Sequence, residues 1–75
     1  MNSRISIDPT VHFGKPCVKG TRITVEAVME LVESGCGFDE IIRDYYPDLT
    51  VDDLRACIQF VRQLLASEQI HVATA

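Results

Sequence analysis

Apolar positions recur along this chain in two rhythms. Ile5 and Ile7 alternate with Arg4, Ser6 and Asp8, a period of two that predicts a short strand ending at the Asp8-Pro9 turn signal. Val18 and Ile23 are strand formers set among Gly14, Pro16 and Gly20. Residues 1–24 therefore read as short extended pieces joined by tight turns, a small β-hairpin or an extended segment. So short a β element is not stable unaided, and has to lie on helices or pair with another subunit. From Thr24 onward the rhythm is helical. Thr24 is placed to N-cap a helix from Val25 to about Ser34, and Glu26 sits in its first turn, where the helix dipole favours an acid. Val25, Val28, Leu31 and Val32 form one apolar stripe, and Gly35 and Gly37 end the helix.

A second, shorter helix is predicted from about Asp39 to Tyr45, with Ile41, Ile42 and Tyr45 facing inward. Pro47 stops it, because the residue before a proline avoids the α region. Thr50 and Asp53 form an acidic variant of the capping box, opening a third helix that runs to about Ala66. Its apolar residues Leu54, Cys57, Ile58, Val61, Leu64 and Leu65 follow i, i+3, i+4, i+7, i+10, i+11, flanked by Val51 and Phe60. That arc is wider than one small helical layer covers, which points to a homodimer. In the tail, Ile70 and Val72 either pair as a strand or stay disordered. The expected organisation is one structural domain: an N-terminal β/turn segment (1–24), a three-helix unit (25–66) and a tail (67–75). The short helix, the turn at Tyr46-Pro47-Asp48-Leu49 and the longer helix have the order of a helix-turn-helix. The fold class is thus mainly α, a three-helix helix-turn-helix domain with a short N-terminal hairpin.

Size sharpens the case for association. A chain of 75 residues buries roughly 60–65% of its unfolded surface and is marginal alone. The three cysteines, Cys17, Cys36 and Cys57, are odd in number and lack CxxC spacing, so they read as small buried hydrophobes in a reducing compartment rather than as staples. The start MNSRISI lacks the apolar run of a signal peptide, and no stretch nears the ~20 apolar residues of a membrane span. The expectation is a soluble, cytoplasmic protein with no membrane partner.

Charge divides the chain unevenly. Arg4, Lys15, Lys19 and Arg22 face only Asp8 in residues 1–25, a net +3, whereas residues 26–75 carry three arginines against ten acids, a net −7. Such asymmetry marks an interaction segment. Within GKPCVKGTRI (14–23), Lys15, Lys19 and Arg22 are spaced by four and three residues on a chain fixed by Gly14, Pro16 and Gly20, where turn N–H groups add anion-binding capacity. The target is nucleic acid phosphate or an acidic pocket on another protein. The plainer alternative is a solvated loop, with Arg22 tied to acids of its own helices. On the third helix Arg55, Gln59 and Arg62 fall at i, i+4, i+7 beside Gln63. Arg and Gln make bidentate contacts with guanine and adenine edges, so these three are candidate DNA readers. Against them, Asp48, Asp52 and Asp53 crowd the end of the helix that usually enters the groove, and a solvated helix face with an Asp52–Arg55 pair is the plainer and favoured account of the stripe.

Enzyme chemistry finds little support. His12 and His71 lie far apart, and no HxxxH, CxxC or His-carboxylate cluster indicates a metal. A His12–Cys17 pair is conceivable in space, but a lone cysteine in apolar company is ordinarily packing. GKPCVKGT lacks the GxxxxGK[ST] order of a phosphate-binding loop. The expectation is a binding protein that is not an enzyme and uses no cofactor and no metal.

Two stretches, ISIDPTVHFGKPCVKGTRITVEAV and LVESGCGFDEIIRDYYPDLTVDDLRACI, carry a recognisable pattern. It runs as an I-x-x-D-P start, a G-K-P-x-[IV]-x-G-T-R-[IV] core, a G-x-[ST]-x-E-E-[IL] step and a Y-P-x-L-T-x-[ED]-[DE]-[IL] helix start. On these motifs residues 5–60 resemble the domain-of-unknown-function family numbered 433, a group of VapB-like antitoxin proteins. Phe38 departs from the pattern, standing where the family commonly has a capping Ser or Thr. The resemblance implies a homeodomain-like three-helix fold and a small intracellular homodimer. It also implies the antitoxin half of a type II toxin–antitoxin pair, which binds and neutralises a PIN-like ribonuclease toxin and, through its helix-turn-helix, its own operator DNA. The alternative is a stand-alone dimeric DNA-binding transcriptional regulator. Residues 63–75 contain no Lys or Arg, so a basic C-terminal arm is not the inhibitory element, and the contact with the toxin falls to Lys15, Lys19 and Arg22.

Overall fold

The computed structural model describes residues 2–67. Strand β1 (Ile5–Ser6) pairs antiparallel with β2 (Cys17–Val18), with Ile5 opposite Val18 and Ser6 opposite Cys17. A single left-handed 3₁₀ turn, His12–Gly14, lies in the connection. On its other side β2 bridges Thr24, and the Val25 N–H donates to the Pro16 carbonyl at 2.9 Å. The chain then forms α1 (Val25–Glu33), α2 (Phe38–Glu40), a π-helical turn (Ile41–Tyr45) and α3 (Val51–Ser67). This is a mainly α fold with an N-terminal hairpin. The tail proposed for residues 67–75 contributes Ser67 to α3; the rest of it, with Ile70 and Val72, lies outside the described residues.

Local chemistry explains the helix ends. The Thr24 hydroxyl accepts from the Ala27 N–H at 3.0 Å, which caps α1. At the other end Gly35, at φ +93°, lets the Gly35 N–H reach the Val32 carbonyl and the Cys36 N–H reach the Leu31 carbonyl, each at 3.0 Å. This is a Schellman stop, which needs the left-handed residue that glycine supplies without strain. The Thr50–Asp53 box forms in both directions, with the Thr50 N–H donating to the Asp53 carboxylate at 2.9 Å and the Asp53 N–H donating to the Thr50 hydroxyl at 3.2 Å.

The core joins the hairpin to the helices through Ile5, Val18, Val25, Val28, Ile41, Leu49, Leu54, Ala56 and Cys57. The hairpin lies on the helices, one of the two supports the sequence left open for it. It covers the Ala56 side of α3, where the Asn2 amide also donates to the Ala56 carbonyl at 2.8 Å.

One expectation about facing is corrected. Tyr45, expected inward, is half exposed, while Tyr46 packs against the core. The π turn is the cause. The Tyr46 N–H donates to the Ile41 carbonyl at 2.8 Å, and this i→i+5 closure rotates position 46 inward in place of 45. The second helix also begins one residue earlier than the expected Asp39. Gly37 is its N-cap, without a side-chain bond, and Phe38 packs on the core from the first helical position. On α3 the apolar stripe is wider than the layer that covers it, as its pattern predicts. Leu54 and Cys57 are buried, and Ile58 and Val61 half-buried, but Leu64 and Leu65 at the end of the stripe are about half exposed, as is Val51 at its start. The layer formed by the hairpin and α1 covers the first half of the helix.

Candidate functional site

Two separate depressions hold part of the set singled out by sequence: Arg55, Gln59 and Arg62 line one and Arg22 the other, whereas Lys15 and Lys19 line neither. A broad groove of about 980 Å³ runs between the N-terminal residues and α3; Asn2, Arg4, Arg55, Gln59 and Arg62 line it. The helical spacing of Arg55, Gln59 and Arg62 therefore does place them on one wall. Their surroundings are mixed. Asp52 lines the same groove, and the Asn2 amide approaches the Gln59 side-chain oxygen at 3.4 Å. Among the described residues neither Arg55 nor Arg62 forms an ion pair.

A smaller hollow of about 450 Å³ lies on the hairpin, lined in part by Asp8, Val11, Cys17, Thr21 and Arg22. The Lys19–Arg22 turn at its edge closes by the Thr21 N–H and hydroxyl, both donating to the Val18 carbonyl at 3.0 and 2.8 Å. Gly20, at φ +80°, occupies the left-handed position that this turn requires. The Asp8 carboxylate accepts from the Thr10 hydroxyl at 2.7 Å and the Thr10 N–H at 2.9 Å, bonds that hold it below its ordinary range.

The three predicted cations differ. Lys15 reaches Glu26 of α1 at 3.6 Å, with both side chains exposed. Lys19 and Arg22 are exposed and form no ion pair among the described residues. It is thus Lys15, and not Arg22, that is tied to the chain's own helices.

The cysteines are packing groups. The Cys17 thiol is buried and donates to the Lys15 carbonyl at 3.4 Å, while His12 is exposed. Burial, with Asp53 adding to it, pushes the Cys57 thiol up to about 11, which keeps it protonated and unreactive at neutral pH. Among the described residues no three His, Cys, Asp or Glu side chains gather as a metal site would need, and no helix is long and apolar enough to cross a membrane.

Sequence reasoning missed two residues at these surfaces. Arg4 donates to Asp53 at 3.0 Å and lies 3.8 Å from Asp52, which clamps the N-terminal segment to the first turn of α3. Its place beside Ile5 in an alternating strand said only that it points away from the core. Phe13 is the other. It is fully exposed and sits at φ +57°, a backbone region that no propensity assigns to phenylalanine.

The family model described as "Protein of unknown function (DUF433)" matches residues 5–61. The chain belongs to the DUF433 family. The matched span contains the basic segment, Arg55 and Gln59, whereas Arg62, Leu64 and Leu65 lie just beyond it. Among solved structures, a crystal structure of a DUF433 member protein from Anabaena variabilis superposes with a TM-score of 0.75 at 30% identity. The match covers 84% of this chain and 61% of that one, so this chain spans about three fifths of the length of that DUF433 protein. No curated protein matches the chain.

Proposed function

We propose that this DUF433 chain is the antitoxin of a toxin–antitoxin pair: a cytoplasmic, homodimeric, non-catalytic protein that binds and neutralises a PIN-like ribonuclease. The observation that carries the reading is the pair Lys19 and Arg22, held out on a glycine turn without an ion-pair partner among the described residues in a chain of net charge −4. A nuclease of this class holds Mg²⁺ with carboxylates, which must be free to bind the metal. A guanidinium pairs with the same carboxylates in bidentate fashion and competes with the ion. Lys15 can join them, because an exposed pair such as Lys15–Glu26 is worth only about 0–1 kcal/mol and is readily exchanged.

The experiment is co-expression with a PIN-like nuclease, sought among the products of the neighbouring genes. Arg22→Ala and Lys19→Ala are expected to restore toxicity while the circular dichroism of the antitoxin stays unchanged. Full neutralisation by both variants rules out this role for the basic turn.

The groove on α3 favours a second reading, a stand-alone DNA-binding regulator. Arg55, Gln59 and Arg62 share one wall of that groove, and among the described residues neither guanidinium has an ion-pair partner. Such binding is strongly salt-dependent, each neutralised phosphate contributing about −0.9 to the log–log slope. In the same strains, loss of the operator gel shift in an Arg55→Ala/Arg62→Ala variant supports this reading, and an unaltered shift removes it.

A further inference from the structure

Phe13 presents two anomalies that have different origins. Its side chain is fully exposed to water. Its backbone is left-handed, and so are those of its neighbours: His12 at φ +48°, Phe13 at +57° and Gly14 at +84°. For the two non-glycine residues this conformation is strained, since Cβ crowds the following carbonyl oxygen. An exposed aromatic alone needs no explanation. An exposed aromatic held where glycine would relieve the strain does, because the side chain gives nothing back to the free fold. Strain that the fold maintains without return is a signature of functional positions.

The turn is also firmly closed. The Val11 N–H donates to the Asp8 carbonyl at 2.9 Å, the Gly14 N–H to the Val11 carbonyl at 3.1 Å and the Lys15 N–H to the His12 carbonyl at 3.1 Å. Phe13 is therefore presented on a fixed backbone, and its ordering is not left to the moment of binding. Val11, where this turn begins, and Arg22 line the same 450 Å³ hollow. The aromatic turn and the cationic turn stand side by side.

We infer that Phe13 is the apolar anchor of the interface through which this surface engages its protein partner, entering an apolar pocket whose rim carries carboxylates for Arg22 and Lys19. The inference rests on the antitoxin reading and names a contact that reading lacks. Aromatic residues, phenylalanine among them, and arginine are enriched at protein–protein interfaces. A protein pocket meets these two turns alone, whereas an anionic bilayer or a nucleic acid backbone confronts a wider surface of a chain whose net charge is −4.

The test uses the full chain and the PIN-like nuclease chosen for co-expression, with affinity measured by calorimetry and the thermal midpoint of the free chain measured in parallel. Phe13→Ala is expected to weaken binding by about 30-fold or more, the range of a hot-spot residue, and Phe13→Leu to retain most of the affinity. Phe13→Gly is expected to raise the thermal midpoint while weakening binding as Ala does, a split that a structural residue cannot give. If the parent chain binds and Phe13→Ala binds equally well, this inference fails and the antitoxin reading stands. If the parent chain does not bind the nuclease, both fall. Binding of phosphatidylglycerol vesicles or of single-stranded oligonucleotides that depends on Phe13, without such dependence for the nuclease, overturns the assignment to a protein partner.

Discussion

The Asp53 carboxylate joins parts of the chain that sequence distance keeps apart. It accepts from the Thr50 N–H at 2.9 Å and from Arg4, 49 residues away, at 3.0 Å. Burial alone would raise its pKa, but the Thr50 hydrogen bonds and the Arg4 guanidinium outweigh burial and hold the group below its ordinary 3.8. A folded-state pKa below the unfolded one contributes stability that is fully present above the unfolded value and disappears as pH falls through the folded value. Asp53→Asn is therefore expected to lose about 1 kcal/mol at pH 7, the usual worth of a helix-capping group, and nearly nothing once the pH is well below 3.8. Urea unfolding of variant and parent at pH 7 and at low pH measures both gaps; equal gaps show that ionised Asp53 is not what the box uses. The Thr50 half of this site was legible in sequence because a capping box is local and its spacing is fixed. The Arg4 half was not, since a strand residue that points outward carries no mark of which helix it will meet.

At the scale of elements, α1 and α3 follow from caps and periodicity, down to the Thr24 cap and the glycine stop at Gly35. The segment between them does not, and the reason is a single hydrogen bond. A period of 3.6 puts Tyr45 on the face of Ile41 and Ile42, whereas the Tyr46 N–H to Ile41 carbonyl bond closes a π turn that brings Tyr46 to the core. Nothing in IIRDYYP distinguishes the two closures, because either tyrosine can serve as the buried one. Pro47 stops the helix in both cases. The two tyrosines are therefore expected to behave differently on truncation. Tyr46→Ala should destabilise by about 2 kcal/mol, the scale for losing a largely buried aromatic side chain, and Tyr45→Ala by less than about 0.5 kcal/mol, as at most surface sites. Chemical denaturation of the two variants checks this, and the reverse order would restore a regular α-helix through Tyr45. The left-handed turn at His12–Gly14 was illegible for a related reason. Gly14 signals a turn, but the sequence gives no cause for the two residues before it to share glycine's conformation.

For the molecule as a whole, the open question is what meets the outer half of α3. The sequence pattern correctly indicated a stripe too wide for one layer, yet it could not show that the hairpin takes the Ala56 side and leaves the far end bare. Leu64 and Leu65 remain 48% and 54% exposed, next to half-buried Phe60 and Val61. A second copy related by a two-fold axis would cover the same four residues on each protomer. Removing the remaining exposure of two leucines is worth about 1 kcal/mol each, so about 4 kcal/mol over the pair of protomers. That corresponds only to millimolar affinity; a micromolar dimer has to draw the remainder from Phe60, Val61 and their rims, and to bury more than about 1,000 Å². We therefore expect a dimer with micromolar dissociation in sedimentation equilibrium. Leu64→Ser combined with Leu65→Ser should weaken it by about a thousandfold without altering helicity. Salt separates this contact from the others. Two protomers of charge −4 repel, so added salt should tighten the dimer, whereas it should weaken binding of an acidic nuclease or of DNA. A chain that sediments as a monomer at tens of micromolar in both low and high salt, or a dimer that survives the double substitution, excludes this face as the one that pairs.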